Sequence, residues 1–517
     1  MWSLVATFLV LPAVFGQYEP NVWNGRSVYV HLFEWKWTDI AAECERFLAP
    51  KGFGGIQVSP PNEHRIIYEN TVKYPWYQRY QPVSYKLNSR SGTEAQFIDM
   101  VRRCNNVGVR IYVDAVINHM AASSGVGTSG SSYNSRTEQY SGVPFGPPDM
   151  TTRSECPTAS GDIGNYNNAA EVRNCRLLGM PDLGIGKEYT RNMILGYMNR
   201  LVEIGVAGFR VDASKHMWPH HLRDLFSRVR NLNTTWFPQG GRPFFFHEVI
   251  DMGYGEPIKA EHYIDSGRVT EFKYGLKLSE GVLKKNGQLL KYFKDFGTNW
   301  GLLNGMFAVA FIDNHDNQRG HGGGGEILTF RKSREYKIAN AFMLAYPYGF
   351  PQIMSSYNWQ QNIQGGQDKN DWIGPPSDPN GNTASIVINP DGTCADRWRC
   401  EHRWRQITNM VAFRNVAGVG DLVHWWDNGA NQVAWGRGRV GATTAFIVIN
   451  NDGYGLNQWL QTGLPAGSYC DVISGNFENG NCSGKTVTVM ADGKANFIIS
   501  NQDYDPFIAI HINAKRS

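Results

Sequence analysis

At 517 residues the chain exceeds one ordinary domain, and a hydrophobic content of 42% supplies a sizeable core. A net charge of +4 leaves no electrostatic footprint for nucleic acid or an anionic membrane, so neither is expected as a partner. Charged residues make up 19% while aromatics reach 13% with 16 Trp, a balance that suits a large packed core or the stacking of sugar rings.

Residues 1–16 are apolar, carry no charged side chain and end in Ala13-Val14-Phe15-Gly16. They predict a cleaved signal peptide and a secreted, extracellular protein that begins at Gln17. The stretch is too short to span a bilayer. The eight cysteines (Cys44, Cys104, Cys156, Cys175, Cys394, Cys400, Cys470, Cys482) form no Cys-x-x-Cys pair, which argues for disulfides over zinc. Pairing neighbours joins 156 to 175, 394 to 400 and 470 to 482, leaving 44 with 104. Other connectivities remain open.

Eight short apolar runs read as strands: 27–33, 54–60, 109–119, 208–214, 243–249, 267–272, 308–316 and 352–357. Helical patterns at 39–48, 94–106, 190–204 and 335–344 separate several of them. This alternation predicts a parallel (β/α)8 barrel, an α/β fold. An open doubly wound sheet is the rival, but no Gly-x-Gly-x-x-Gly follows the first strand. Between 121 and 182 the chain is rich in Gly, Ser, Thr, Asn and Pro and holds one cysteine pair, as a stapled excursion would. After about residue 420 the pattern turns to alternation, with strands at 421–426, 432–436, 444–450, 486–490 and 497–500. The expected domains are a barrel at 17–117 and 184–420, an insertion at 118–183, and a C-terminal antiparallel β-sandwich at 421–517.

Reactive side chains of such barrels sit at the C-terminal ends of the strands. Those ends carry Asp114, Asp212, Glu248, Asp313 and Asp316. Paired carboxylates are what acetal hydrolysis needs, one to protonate the leaving oxygen and one to trap the oxocarbenium-like carbon.

Four of these segments have recognisable sequences: Val-Asp-Ala-Val-Ile-Asn-His at 113–119, Gly-Phe-Arg-Val-Asp-Ala-Ser-Lys-His at 208–216, Glu-Val-Ile-Asp at 248–251 and Phe-Ile-Asp-Asn-His-Asp at 311–316. In order and placement they resemble the signature segments of glycoside hydrolase family 13. Flanking stretches at 30–35, 51–55, 79–85 and 400–406 resemble its animal-type α-amylases, from about Gln17 to the C-terminus.

The resemblance implies endo-hydrolysis of α-1,4 bonds in starch, glycogen and maltooligosaccharides, with Asp212 as nucleophile, Glu248 as general acid/base and Asp316 as a third catalytic carboxylate. Trp76, Tyr77, Tyr80, Gln81, His119, Arg210, Lys215, His216, His315 and His321 would contact the sugar. Where relatives carry Trp-Trp, this chain has Trp76-Tyr77. One calcium ion would be held by Asn118, Arg173, Asp182 and His216, the second and fourth through backbone carbonyls. A relative's disulfide to the excursion is missing here, with Asn88 in one of its places. Arg210 and Asn314 match two places of a chloride site whose third place, an arginine in relatives, falls on Gln352. That implies an enzyme with no chloride requirement. A monomer is expected. The rival readings are a binding protein that has lost the carboxylates, and an exo-acting glucosidase on the same scaffold.

Overall fold

The computed structural model describes residues 17–516. The expected signal peptide at 1–16 lies outside them. Eight parallel strands close a barrel: β1 (Tyr29–Leu32), β2 (Gly55–Val58), β3 (Arg110–Ala115), β4 (Gly208–Val211), β5 (Phe244–His247), β6 (Arg268–Thr270), β7 (Ala308–Phe311) and β8 (Phe350–Ser355), with β8 pairing to β1. All eight correspond to the predicted runs. The runs at 109–119 and 308–316 stop early as strands, because the residues beyond Ala115 and Phe311 turn out of the ladder towards the mouth.

Aromatic side chains fill the barrel interior. Tyr29 stacks on Phe350 at 4.9 Å, and Tyr112 meets Phe244 edge-on at 5.5 Å. Such rings need room: a Cβ at Gly55 would lie 2.5 Å from the Tyr112 ring, so only glycine fits there. Outside, the helix Glu94–Asn106 starts at a reciprocal cap in which Thr93 accepts from the Gln96 N–H and Gln96 accepts from the Thr93 N–H. The helix Glu188–Ile204 ends where Gly205 adopts φ +115°. The fifth unit departs from the pattern, with only a 3-10 stretch, Ala260–Ser266, after its strand.

The excursion leaves after β3, carries a small antiparallel sheet (Ser124–Val126, Ser132–Asn134, Gln139–Tyr140) and returns to the barrel at Asp182. The disulfides are Cys44–Cys104, Cys156–Cys175, Cys394–Cys400 and Cys470–Cys482. Asn88 hydrogen-bonds to the Thr128 carbonyl at 3.1 Å, and the Thr128 hydroxyl donates back to the Asn88 carbonyl at 2.7 Å. Hydrogen bonds thus tie the excursion to the barrel at that position.

The C-terminal domain pairs a four-stranded sheet, β9 (Asp421–Asp427), β10 (Gln432–Arg439), β11 (Ala442–Asn450) and β18 (Phe507–His511), with two-stranded sheets facing it. Alternate residues of β11 serve two cores. Phe446 and Val448 face the sandwich interior, whereas Ala445, Ile447 and Ile449 join the barrel's core. Between them lie β12 (Leu456–Gln461), β13 (Gly467–Cys470), β14 (Phe477–Glu478), β15 (Asn481–Cys482), β16 (Thr486–Val489) and β17 (Lys494–Ile499). Sequence periodicity misses β12, β13 and β18. β18 is buried along its whole length, and β12 buries only its first and fifth residues, so neither alternates cleanly.

Candidate active site

The strand ends converge on one guanidinium. Arg210 Nη1 donates to Asp114 Oδ1 at 2.6 Å and to Asp212 Oδ1 at 2.9 Å, while its Nη2 lies 2.8 Å from Glu248 Oε1. Arg210 and Asp212 lie two residues apart on β4 and its end, hence on one face of the strand. After Asp212 the chain turns through Ala213 in the left-handed region (φ +50°, ψ +33°), a conformation that costs a non-glycine residue roughly 1–3 kcal/mol. The turn aims the Ala213 N–H at Glu248 Oε2, 2.8 Å away. Glu248 is therefore gripped at both oxygens.

Asp114, Asp212 and Glu248 are buried around Arg210, with the partly buried Asp316 beside them and Arg319 acting on Asp316 as a second cation. Burial, then repulsion from Glu248, pushes Asp212 upward, with Arg210 opposing. The same two causes raise Asp316 to about 7. Burial and mutual repulsion thus push Asp114, Asp212 and Asp316 upward, while Arg210, and Arg319 at Asp316, oppose the rise.

An open cleft of about 860 Å³ lies above the cluster. Asp212, Glu248 and Asp316 form its floor, and Trp76, Tyr77, Tyr80 and Gln81 one wall. His119, Lys215, His216, His315 and His321 also reach it. Arg210 does not: it lies beneath, its nitrogens occupied by carboxylates, which makes it a holder of carboxylates instead of the predicted sugar contact. Asp114 lies behind it, also accepting from the Tyr80 hydroxyl at 2.9 Å. Asp313 is turned away altogether, accepting from Tyr336 and Gln318, and burial raises it to about 8.

Burial holds His119 and His315 as neutral donors and acceptors. His119 donates from Nε2 to the Tyr80 carbonyl at 2.9 Å, with its Nδ1 3.3 Å from the Asn118 amide, and burial lowers it to about 4. His315 stacks on Tyr80 at 5.1 Å; burial and then Arg210 hold it well below its ordinary value. His321 is half exposed and meets Asp371 at 3.0 Å. Lys215 points its ammonium at the Ile250 carbonyl, 2.6 Å away. Sequence reasoning missed Asp371, and also Tyr166, Leu177, Leu178 and Met180, which the excursion contributes to the cleft. Apolar side chains inside an otherwise polar insertion were the available signal.

Two family descriptions match the chain: "Alpha amylase, catalytic domain" over residues 67–355 and "Alpha amylase, C-terminal all-beta domain" over 423–513. The α-amylase of Oryzias latipes is 56% identical over 515 residues, spanning 98% of this chain and 99% of that one. The chain belongs to the α-amylase family. Pancreatic α-amylase of Homo sapiens is 57% identical over 504 residues, covering 96% of this chain and 97% of its own. Among solved structures, wild-type α-amylase I from Eisenia fetida superposes with a TM-score of 0.91 at 51% identity, covering 96% and 99% of the two chains. A mutant of that earthworm amylase was solved with maltohexaose.

Of the residues that the amylase resemblance assigns to calcium, Asn118 and Asp182 meet where the excursion returns to the barrel, and His216 lies against the helix that carries Arg173. Asp182 pairs across from His119, and the Asn118 carbonyl accepts from the Leu183 N–H at 2.9 Å. His216 donates from Nδ1 to the Val172 carbonyl at 2.9 Å, which sets residue 216 against the helix Ala169–Asn174. Asp182 Oδ2 accepts from Thr151, but its Oδ1 is buried without a hydrogen-bond partner, and burial drives this carboxyl well above its usual range. The Arg173 guanidinium lies over Trp218 at 4.8 Å. A buried carboxylate oxygen with no hydrogen-bond partner is a donor that fits a hard cation.

The amylase chloride positions are not joined to one another. Gln352 accepts from the Tyr29 hydroxyl at 2.9 Å and donates to Gln57 at 3.3 Å, while Asn314 Oδ1 accepts from the N–H groups of Asp316 and Asn317. Among the described residues no hydrogen bond connects Arg210, Asn314 and Gln352.

Proposed function

We propose that this amylase is secreted and cuts internal α-1,4 bonds of starch, glycogen and maltooligosaccharides with retention of configuration. The observation that carries the reading is the Arg210 hub, which holds Asp212 and Glu248 side by side on the floor of an open, aromatic-walled cleft. Asp212 attacks the anomeric carbon as Glu248 delivers a proton to the departing oxygen. Glu248 then takes a proton from the water that releases the β-linked intermediate. Asp316 binds ring hydroxyls, and His119 and His315, held neutral, serve as hydrogen-bonding groups rather than charges. The maltohexaose bound by the earthworm relative is a ligand of the same chemical class. Two displacements preserve configuration, so the first sugar released from an end-blocked maltooligosaccharide is expected to be the α-anomer, read by NMR. Inertness towards the blocked substrate would instead mean an exo-acting enzyme.

A calcium ion at Asn118, Arg173, Asp182 and His216 completes the proposal. It would supply the positive charge that Asp182 lacks and tie the excursion, with its Leu177–Met180 contribution to the cleft, to β3 and β4. Exhaustive chelation is expected to lower Tm by roughly 10 °C and to expose the excursion to protease. An unchanged melting curve after confirmed metal loss would refute this role.

A further inference from the structure

The outward face of the β12–β17 ribbon carries an aromatic that the fold does not use. Trp459 is 56% exposed and Ile498 64% exposed. The register pairs Asn457 with Ile498, Trp459 with Asn496 and Gln461 with Lys494, so these six residues share one face and Trp459 lies diagonal to Ile498. The opposite face is anchored in the sandwich core by Leu456, Leu460, Ala495, Phe497 and Ile499. The platform is therefore rigid, and it points away from the sheet that packs on the barrel. Its polar members are three neutral amides and one lysine, with no carboxylate. The Asn496 Oδ1 is buried and without a hydrogen-bond partner, so the exposed amides of this face are those of Asn457 and Gln461.

We propose that this face is a second α-glucan-binding site, remote from the cleft, with Trp459 stacking on a pyranose ring and the Asn457 and Gln461 amides meeting its hydroxyls. The proposal rests on the α-glucan reading of the active site. Size favours a sugar chain over a protein. Two strands of six residues span about 20 Å by 10 Å, roughly 200 Å², whereas a stable protein interface buries about 800 Å² per partner. That area accommodates a few glucose units. The lack of carboxylates and near-neutrality suit an uncharged polymer, and an exposed indole offers such a ligand a flat, weakly hydrated surface. A polymer held at Trp459 presents further segments of itself to the cleft at high effective concentration, so even weak stacking raises attack on large or insoluble substrate.

The test uses the full chain carrying Glu248→Gln, so that the polymer is not consumed, with and without Trp459→Ala. Binding is measured by co-sedimentation with granular starch and by retardation in glycogen-containing gels. Loss of the indole is expected to weaken granule binding at least about tenfold, with Trp459→Phe intermediate and Tm unchanged. In the otherwise active enzyme, Trp459→Ala should slow granule digestion several-fold and leave kcat/KM on maltoheptaose unaltered. Equal granule binding with and without the indole would overturn the site. So would concentration-dependent self-association that Trp459→Ala abolishes, because the face would then be a contact between copies. A parent enzyme inert on maltoheptaose would strike the functional reading alone, since the granule-binding comparison does not depend on turnover.

Discussion

Asp212→Asn is expected to lower kcat/KM at least about 10³-fold, equivalent to roughly 4 kcal/mol of transition-state stabilisation, with the fold intact. This substitution is the cleanest available at the site. Asp212 accepts from Arg210 through Oδ1, and an asparagine keeps that acceptor while removing the nucleophile's charge. It also relieves a crowded set of buried carboxylates, so stability should hold or rise. Glu248→Gln is a harsher change, because Glu248 Oε2 accepts from the Ala213 N–H while Oε1 is ion-paired with Arg210. An amide must turn its NH₂ towards one of those donors. Its rate loss should be comparable but accompanied by some loss of Tm. Wild-type turnover in Asp212→Asn would remove it as the nucleophile.

The second large effect concerns residue 352. We expect activity to be equal in chloride-free buffer and in sodium chloride, and Gln352→Arg to create a chloride requirement. At present one cation, Arg210, serves Asp114, Asp212 and Glu248 together. Its charge is divided, and burial holds Asp114 and Asp212 above their usual range. Gln352 adds none: its amide bonds to Tyr29 and Gln57 inside the barrel. An arginine there would bring a second positive charge into the same low-dielectric space, stabilise the ionised carboxylates and strip the proton that the leaving oxygen needs. Without an anion to offset it, the variant's activity at neutral pH should fall about tenfold. Chloride should restore it where a non-halide salt of equal ionic strength does not. Several-fold activation of the parent by chloride would defeat the argument.

The barrel was legible because its strands are nearly continuous apolar runs, and the carboxylates were legible because they stand at the ends of those runs. What the sequence does not display is direction. Asp313 and Asp316 are three residues apart in one segment, yet one turns back to Tyr336 and the other faces the cleft. Arg210 reaches Asp212 because strand alternation puts residues two apart on one face, but its simultaneous grip on Asp114 and Glu248 depends on three separate strands meeting. Long-range pairs such as His321 with Asp371 and Trp76 with the Asp371 carbonyl are set by loop packing, which no local period encodes. The same holds for β18, whose five buried residues serve two cores at once.

That double-sided burial bears on how the molecule can be cut and inherited. Arg437 donates to the carbonyls of Ala345, Gly418 and Gly420, and Arg414 to those of Tyr346 and Gly349, while Trp435 packs on Phe342 at 4.9 Å. Arg437 and Trp435 on β10 thereby cap the end of the barrel's Ser333–Ala345 helix, while Arg414, on the barrel's own last helix (Arg405–Ala417), holds the turn that feeds β8, the strand that closes the barrel. The helix that precedes the closing strand of the catalytic unit is held from outside by a domain with none of its described residues in the cleft. Trimming the chain at 420 would strand buried guanidinium partners and an apolar sheet footprint, so the two units travel through evolution, and through any expression vector, as one object.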